Sequence, residues 1–207
     1  MPPLSTPLSK LSRSNFLESY GWAGATSTPI GEDWSPRKFF RIERNGQTAI
    51  VMYSVPDNDP KSIPGHKLKD FVRISGYLRD IGLSAPKVYA TDFELGLLLV
   101  EDFGSQDFAS LIALGKERER DHYLLATRAL MHIYNKTEFI AMDLPDYYAS
   151  HVHKGHRRVV DWYMPAVLKR PNEDGVVEDY LSVWRKIERT LPQVKRRLLH
   201  GDFHTGN

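Results

Sequence analysis

The stretch HGDFHTGN, residues 200–207, places a histidine, an aspartate, a second histidine, two glycines and an asparagine within eight positions. Asp202 and Asn207 stand five residues apart, after the run Arg-Arg-Leu-Leu at 196–199, which reads as a short apolar strand. A carboxylate at such a position can orient an attacking hydroxyl and accept its proton. An asparagine carbonyl five residues on can ligate a hard cation such as Mg²⁺, which takes oxygen ligands. Phosphoryl transfer uses this pairing, because its loose transition state demands positioning and charge neutralisation more than covalent chemistry.

The elements that must position these groups divide in character along the chain. Residues 12–20 read as a short helix with Phe16 and Leu17 on its apolar side. Strand-like runs at 39–43 and 48–55 flank Asn45-Gly46, a strong two-residue hairpin turn. A proline-rich loop at 56–65 follows, and then Leu68, Phe71, Val72, Leu78 and Ile81 recur at helical spacing, with Gly82 placed to end the helix. KVYATDFELGLLLVEDF, residues 87–103, reads as two further strands around a turn at 94–96. Beyond Phe103 the pattern becomes helical: Phe108, Leu111 and Ile112 mark one helix, Tyr123, Leu130, Ile133 and Tyr134 a longer one, and Val177, Leu181, Trp184, Ile187 and Leu191 a third. The expected class is α+β, with a small β-rich lobe over residues 1–101 and a helical lobe over 102–207.

Composition narrows the function. The 207 residues carry 28 basic and 26 acidic side chains, a formal charge of +2, so no strong field points to nucleic acid. The chain has no cysteine, which removes disulfides, thiolate catalysis and Cys-based zinc sites and fits a reducing cytoplasm. The N-terminal residues lack a signal-peptide core, and the most apolar run, 95–100, is too short to span a bilayer. The expectation is a cytoplasmic protein without nucleic-acid or membrane partners; the sequence carries no signal for an oligomeric state.

HGDFHTGN has the spacing of the protein-kinase catalytic loop H-R-D-x-x-x-x-N. With glycine for arginine and a second histidine, it resembles the signature of the aminoglycoside phosphotransferase and choline kinase superfamily. The resemblance implies a protein-kinase-like two-lobed fold, use of ATP and Mg²⁺, Asp202 as catalytic base and Asn207 as metal ligand. It also implies that His200 braces the loop and that His204 lies near the phosphates or substrate. LLLVEDFGS would be the hinge of such a kinase, where the carbonyl of Glu101 and the amide of Phe103 meet adenine; an ordinary strand end with acidic residues in solvent is the alternative, and the position between lobes favours the hinge. GEDWSPRKFFRI occupies the place of the phosphate-covering loop without its glycine pattern. There Ser35 can donate from hydroxyl and backbone and Arg37 or Lys38 can clamp phosphates; a tight turn with solvated basic residues is an equal alternative. Met52 stands where a protein kinase has its phosphate-binding lysine, and the following helix has no obvious paired glutamate.

The strings FLESYGW, SPRKFFRI, AIVMYSVP, YLRDIGLSAPKVYATD, GLLLVEDFG and VVDWYMPA are similar, in this order, to bacterial kinases of the anomeric hydroxyl of N-acetylmuramate and N-acetylglucosamine, which recycle cell-wall sugars. That group tends to share the methionine at 52 and more often has an aromatic residue where Pro36 stands. The resemblance implies a small-molecule kinase for an amino sugar, with a kinase for an aminoglycoside or choline as the runner-up and a non-catalytic nucleotide-binding module as the third reading. In DWYMP, Trp162 or Tyr163 can stack on a pyranose face and Asp161 can accept sugar hydroxyls; a helix anchored by buried aromatics is the alternative. HVHKGHRR, with His151, His153 and His156, reads as a solvated basic loop, because no carboxylate or cysteine nearby completes a zinc set. Kinases of this type need a second metal-binding aspartate after the catalytic loop. The 207 residues are therefore expected to be the N-terminal part of a longer kinase and to be inactive alone.

Overall fold

The computed structural model describes residues 7–31, 37–62, 66–115, 118–136, 144, 146–147, 153–192 and 195–206. The chain divides into two compact units, Met1–Ala129 with Gly206 and Leu130–Thr205 with Asn207.

The first unit is built on five antiparallel strands. Helix α1 (Pro7–Ser19) precedes β1 (Thr26–Ile30), β2 (Lys38–Arg44) and β3 (Gln47–Tyr53). Helix α2 (Leu68–Asp80) then leads to β4 (Val88–Asp92) and β5 (Leu97–Val100). Sheet order is β1-β2-β3-β5-β4, so β5 enters between β3 and β4. The β2–β3 hairpin closes at Asn45-Gly46 with φ of 52° and 74°, the doubly left-handed geometry of the tight turns that suit twisted strands. Every residue of β1 is exposed, and its Pro29 is tolerated because the strand lies at the sheet edge. Polar and lacking alternation, β1 is the one strand that hydrophobic periodicity did not anticipate.

Two apolar layers cover the sheet. Phe16 of α1 packs with Ile42, Ala49, Val51, Ala90, Leu97 and Leu99 on one face. On the other, Met52, Leu98 and Val100 meet Leu68 of α2, with Phe39, Ile50, Phe71 and Val72 around them. All four residues of β5 are buried, as a strand covered on both faces requires. The Asp57 carboxylate caps α2 from the preceding loop, accepting from the amides of Leu68 and Lys69 at 2.6 and 3.1 Å. Helices α3 (Phe108–Leu114) and α4 (Glu119–Lys136) follow, and Asp107 and Ser110 form a capping box at the start of α3.

In the second unit, α5 (His153–Arg158) runs into a π-helical turn, Val159–Tyr163, and then α6 (Met164–Leu168) and α7 (Val176–Thr190). Val160 is fully buried. His156 stacks on Trp184 with centroids 3.7 Å apart and planes 15° from parallel, and lies 3.9 Å from Glu188. Two expectations are corrected here. Residues 153–158 form helix α5 instead of a loop, docked through His156 on α7; His151 lies outside the described residues. The run at 196–199 is not a strand: it pairs with no strand among the described residues, and Leu199 is 58% exposed. Among the described residues no helix is long and apolar enough to cross a membrane. The architecture is α+β, as expected.

Gly96 carries the tightest backbone approach in the sheet. Its φ is +73°, its carbonyl accepts from the Ser54 amide at 2.9 Å, and a Cβ there would sit 2.2 Å from the Ser54 carbonyl oxygen. Gly82 has a similar φ of +88° but open space around it. Gly82→Ala should therefore cost about 1 kcal/mol, from left-handed strain alone. Gly96→Ala should cost about 2–3 kcal/mol, since β3 and β5 must also move apart. Urea unfolding of the two variants measures the difference, and equal losses would show that the Ser54 carbonyl yields freely.

Candidate active site

The 200–206 segment turns at Gly201, whose φ is +81°, and a Cβ there would touch the Tyr147 ring at 3.5 Å. The turn brings His204 Nε2 to 3.7 Å from Asp202 Oδ2, with side chains 56% and 79% exposed. His200 packs edge-on against Phe203 at 5.1 Å between centroids, a contact that steadies the residue next to Asp202. Tyr134 supports the approach to this segment through Arg197, whose guanidinium lies 4.8 Å from the ring centre. Three of the expected residues, His200, Asp202 and His204, are thus gathered in one turn with a water-facing carboxylate. Asn207, the expected metal ligand, lies outside the described residues.

Trp162 and Tyr163 are 76% and 65% exposed. The alternative of a helix anchored by buried aromatics does not hold; Val160 is the anchor, and the two rings face outward from the π-helical turn. Asp161 is held by Arg157 through two hydrogen bonds of 2.9 and 3.1 Å.

In the first unit the segment after β5 is bound on both sides. The Glu101 amide donates to the Lys87 carbonyl at 2.8 Å, while its carboxylate accepts from the Lys87 amide at 3.0 Å and lies 3.6 Å from Arg79 of α2. Asp102 turns inward, its side chain 4% exposed, and receives Arg41 of β2 as a fork: Nε at 2.6 Å and Nη2 at 2.9 Å. The same Nη2 donates to the Gly104 carbonyl at 2.7 Å, and the Gly104 amide donates to Asp102 at 2.9 Å. The Arg41 hydrogen bonds hold the Asp102 carboxyl below the usual carboxylate range, with the Gly104 amide and the Thr48 hydroxyl adding to the effect. Between these fixed neighbours Phe103 is 57% exposed. Among the described residues, neither the Phe103 amide nor the Glu101 carbonyl takes part in a hydrogen bond.

Met52, in the position of the usual lysine, is completely buried among Leu68, Leu98 and Val100. Arg37 lies on the same side of the sheet. Its guanidinium donates to the His66 carbonyl at 2.9 Å and lines a groove with Phe71, Ile74, Ser75 and Leu78 of α2. Burial lowers its pKa, against the raising influence of Asp57 and Asp70. Strand alternation puts Lys38 on the opposite face with Phe40 and Ile42, so the two cations do not act side by side. Ser35 lies outside the described residues. Arg41 and Asp102 are the residues that sequence reasoning missed; the traces of them are an arginine within the apolar run Phe39–Ile42 and the second of two acidic residues that end the run Leu97–Val100.

The chain is similar to curated proteins over most of its length. It is 25% identical over 190 residues to the N-acetylmuramate/N-acetylglucosamine kinase of Pseudomonas aeruginosa, covering 90% of this chain and 53% of that protein. The protein of the same name from Caulobacter vibrioides is 24% identical over 222 residues, covering 94% and 61%, and that from Pseudomonas putida 25% over 214, covering 99% and 56%. The chain thus spans between half and two thirds of the length of these relatives. The model of the phosphotransferase enzyme family matches residues 26–207, from β1 to the end of the HGDFHTGN segment. With the sheet, the bound segment after β5 and the Asp202 turn all inside that match, the chain belongs to the phosphotransferase enzyme family.

Proposed function

We propose that this chain forms the nucleotide-binding and base-carrying part of an ATP-dependent kinase for a hydroxyl of a small molecule, in the first place the anomeric hydroxyl of an amino sugar. The observation that carries the reading is the water-facing Asp202 carboxylate beside His204 in a family phosphotransferase motif. The names of the relatives support the amino sugar. The exposed rings of Trp162 and Tyr163 suit a pyranose face, with Asp161 as an acceptor for its hydroxyls.

The roles follow from the chemistry of each group. Asp202 takes the proton of the acceptor hydroxyl as its oxygen bonds to the terminal phosphorus and ADP departs. His200 keeps the turn in shape, and His204, protonated or as a donor, faces the charge that develops on the phosphoryl oxygens. The Glu101 carbonyl and the Phe103 amide pair with the amino group and ring nitrogen of adenine. Among the described residues no three His, Asp or Glu side chains converge as a metal cage. Mg²⁺ keeps waters and phosphate oxygens and asks the protein for one or two oxygen ligands, for which Asn207 is the candidate in this chain. The ion, when bound, supplies charge neutralisation at the phosphates. We place the lobe boundary after residue 101, and the site of action in the cytoplasm.

Met52 favours a second reading, a nucleotide-binding module without catalysis, because a buried thioether cannot hold phosphate. Arg37 answers it: the cation sits on the same side of the sheet as Met52, carried one strand over.

Two measurements on the complete gene product test these roles. Asp202→Asn preserves shape and should lower kcat by about 10²–10⁴-fold with magnesium-dependent ADP release on N-acetylmuramate or N-acetylglucosamine as the readout. Near-normal turnover would remove Asp202 from the mechanism. Arg37→Ala should weaken ATP binding by about tenfold, the loss of one charge-assisted contact, while Lys38→Ala changes it less than about threefold. The reverse order would move the clamp to the other face of β2.

A further inference from the structure

The segment proposed to meet adenine raises the question of what holds it. Phe103 contributes nothing to its own placement: its ring is 57% exposed and its amide is without a hydrogen bond among the described residues. The position of that amide is therefore set by the residues on either side. Glu101 is fixed by Lys87 in β-ladder fashion, and Asp102 and Gly104 are fixed by Arg41.

We propose that Arg41 is a positioning residue for nucleotide-base recognition, acting through Asp102 and Gly104 to hold the Phe103 amide and Glu101 carbonyl at the spacing of an adenine edge. This rests on the reading of 101–103 as the base-contacting segment.

The geometry supports it in three ways. First, Arg41 leaves the middle of β2, where its Cα is paired with Ile50, so the guanidinium starts from a rigid strand. Second, its fork grips both carboxylate oxygens and the carbonyl two residues on, closing a ring around residues 102–104 that also includes the Gly104 amide. Third, Asp102 is 4% exposed, and a buried carboxylate has no alternative partner in water; its side chain cannot swing out without leaving the guanidinium unmatched. Lysine cannot substitute, because a single ammonium point charge does not reproduce a planar three-acceptor fork. A simple tie between β2 and the end of β5 would also stabilise the fold, so the test must read base recognition and not stability.

The experiment compares the dissociation constants of ATP and of purine riboside triphosphate, which lacks the exocyclic amine, by calorimetry on the complete gene product. The wild-type protein should prefer ATP by about tenfold, because the Glu101 carbonyl is left unmatched by the analogue. Arg41→Ala, Arg41→Lys and the isosteric Asp102→Asn should each lower that preference to about twofold or less at temperatures below their melting transitions. Variants that keep the tenfold preference, whatever their stability, would overturn the role of Arg41 while leaving the base contact intact. A wild-type protein that binds the two nucleotides equally would instead overturn the reading of 101–103 and the role of Arg41 with it. Should Arg41→Ala not fold, the charge-conserving Arg41→Lys and the shape-conserving Asp102→Asn decide the question.

Discussion

A carboxylate that leaves water must be met by a cation, and in the first unit this requirement joins the middle of β2 to the chain leaving β5. Asp102 is withdrawn almost completely from solvent, and Arg41 meets it at 2.6 Å. A buried ion pair is weak evidence for stability, since desolvation offsets much of the attraction and apolar packing can do as well. What an apolar pair cannot supply is direction. The guanidinium plane fixes the carboxylate plane, the carboxylate fixes the Gly104 amide, and the same guanidinium holds the Gly104 carbonyl. The chain departs from the sheet along one defined path, with donors and acceptors exposed between fixed points.

The rest of that sheet is arranged around apolar cover on both faces. Because β5 is buried throughout, β3 and β5 must present uninterrupted apolar surface toward α2, and Met52 falls inside that surface. A lysine there would bring a charge into an apolar layer of Leu68, Leu98 and Val100. The methionine is thus consistent with its packing, and Arg37, at the entry to β2, lines a groove against α2 on that side of the sheet. Burial lowers the pKa of its guanidinium, which donates to the His66 carbonyl.

The second unit has a different logic. Its packing depends on a few contacts: Val160 at the centre, His156 face to face with Trp184, and Arg197 over Tyr134. The residues with chemical potential, Asp202, His204, Trp162 and Tyr163, are turned outward. The family match, residues 26–207, covers the whole of this unit.

Much of this was legible in the amino-acid order. Asn45-Gly46 determined the hairpin, because only left-handed-tolerant residues close a two-residue turn. The apolar spacing of 68–81 determined α2, and HGDFHTGN determined the class of chemistry. Local rules sufficed wherever the signal was local. They failed where the partner was distant: β1 is a strand only because β2 offers it an edge, α5 is a helix where Trp184 receives His156, and 196–199 stays irregular with no strand beside it among the described residues. The same holds for the burial of Met52, the outward rings at 162 and 163, and the opposite faces taken by Arg37 and Lys38. The sequence separation of 61 between Arg41 and Asp102 conceals the pair from any reading of neighbours. Only the tertiary structure decided it, because a charge acquires its partner from the fold that desolvates it.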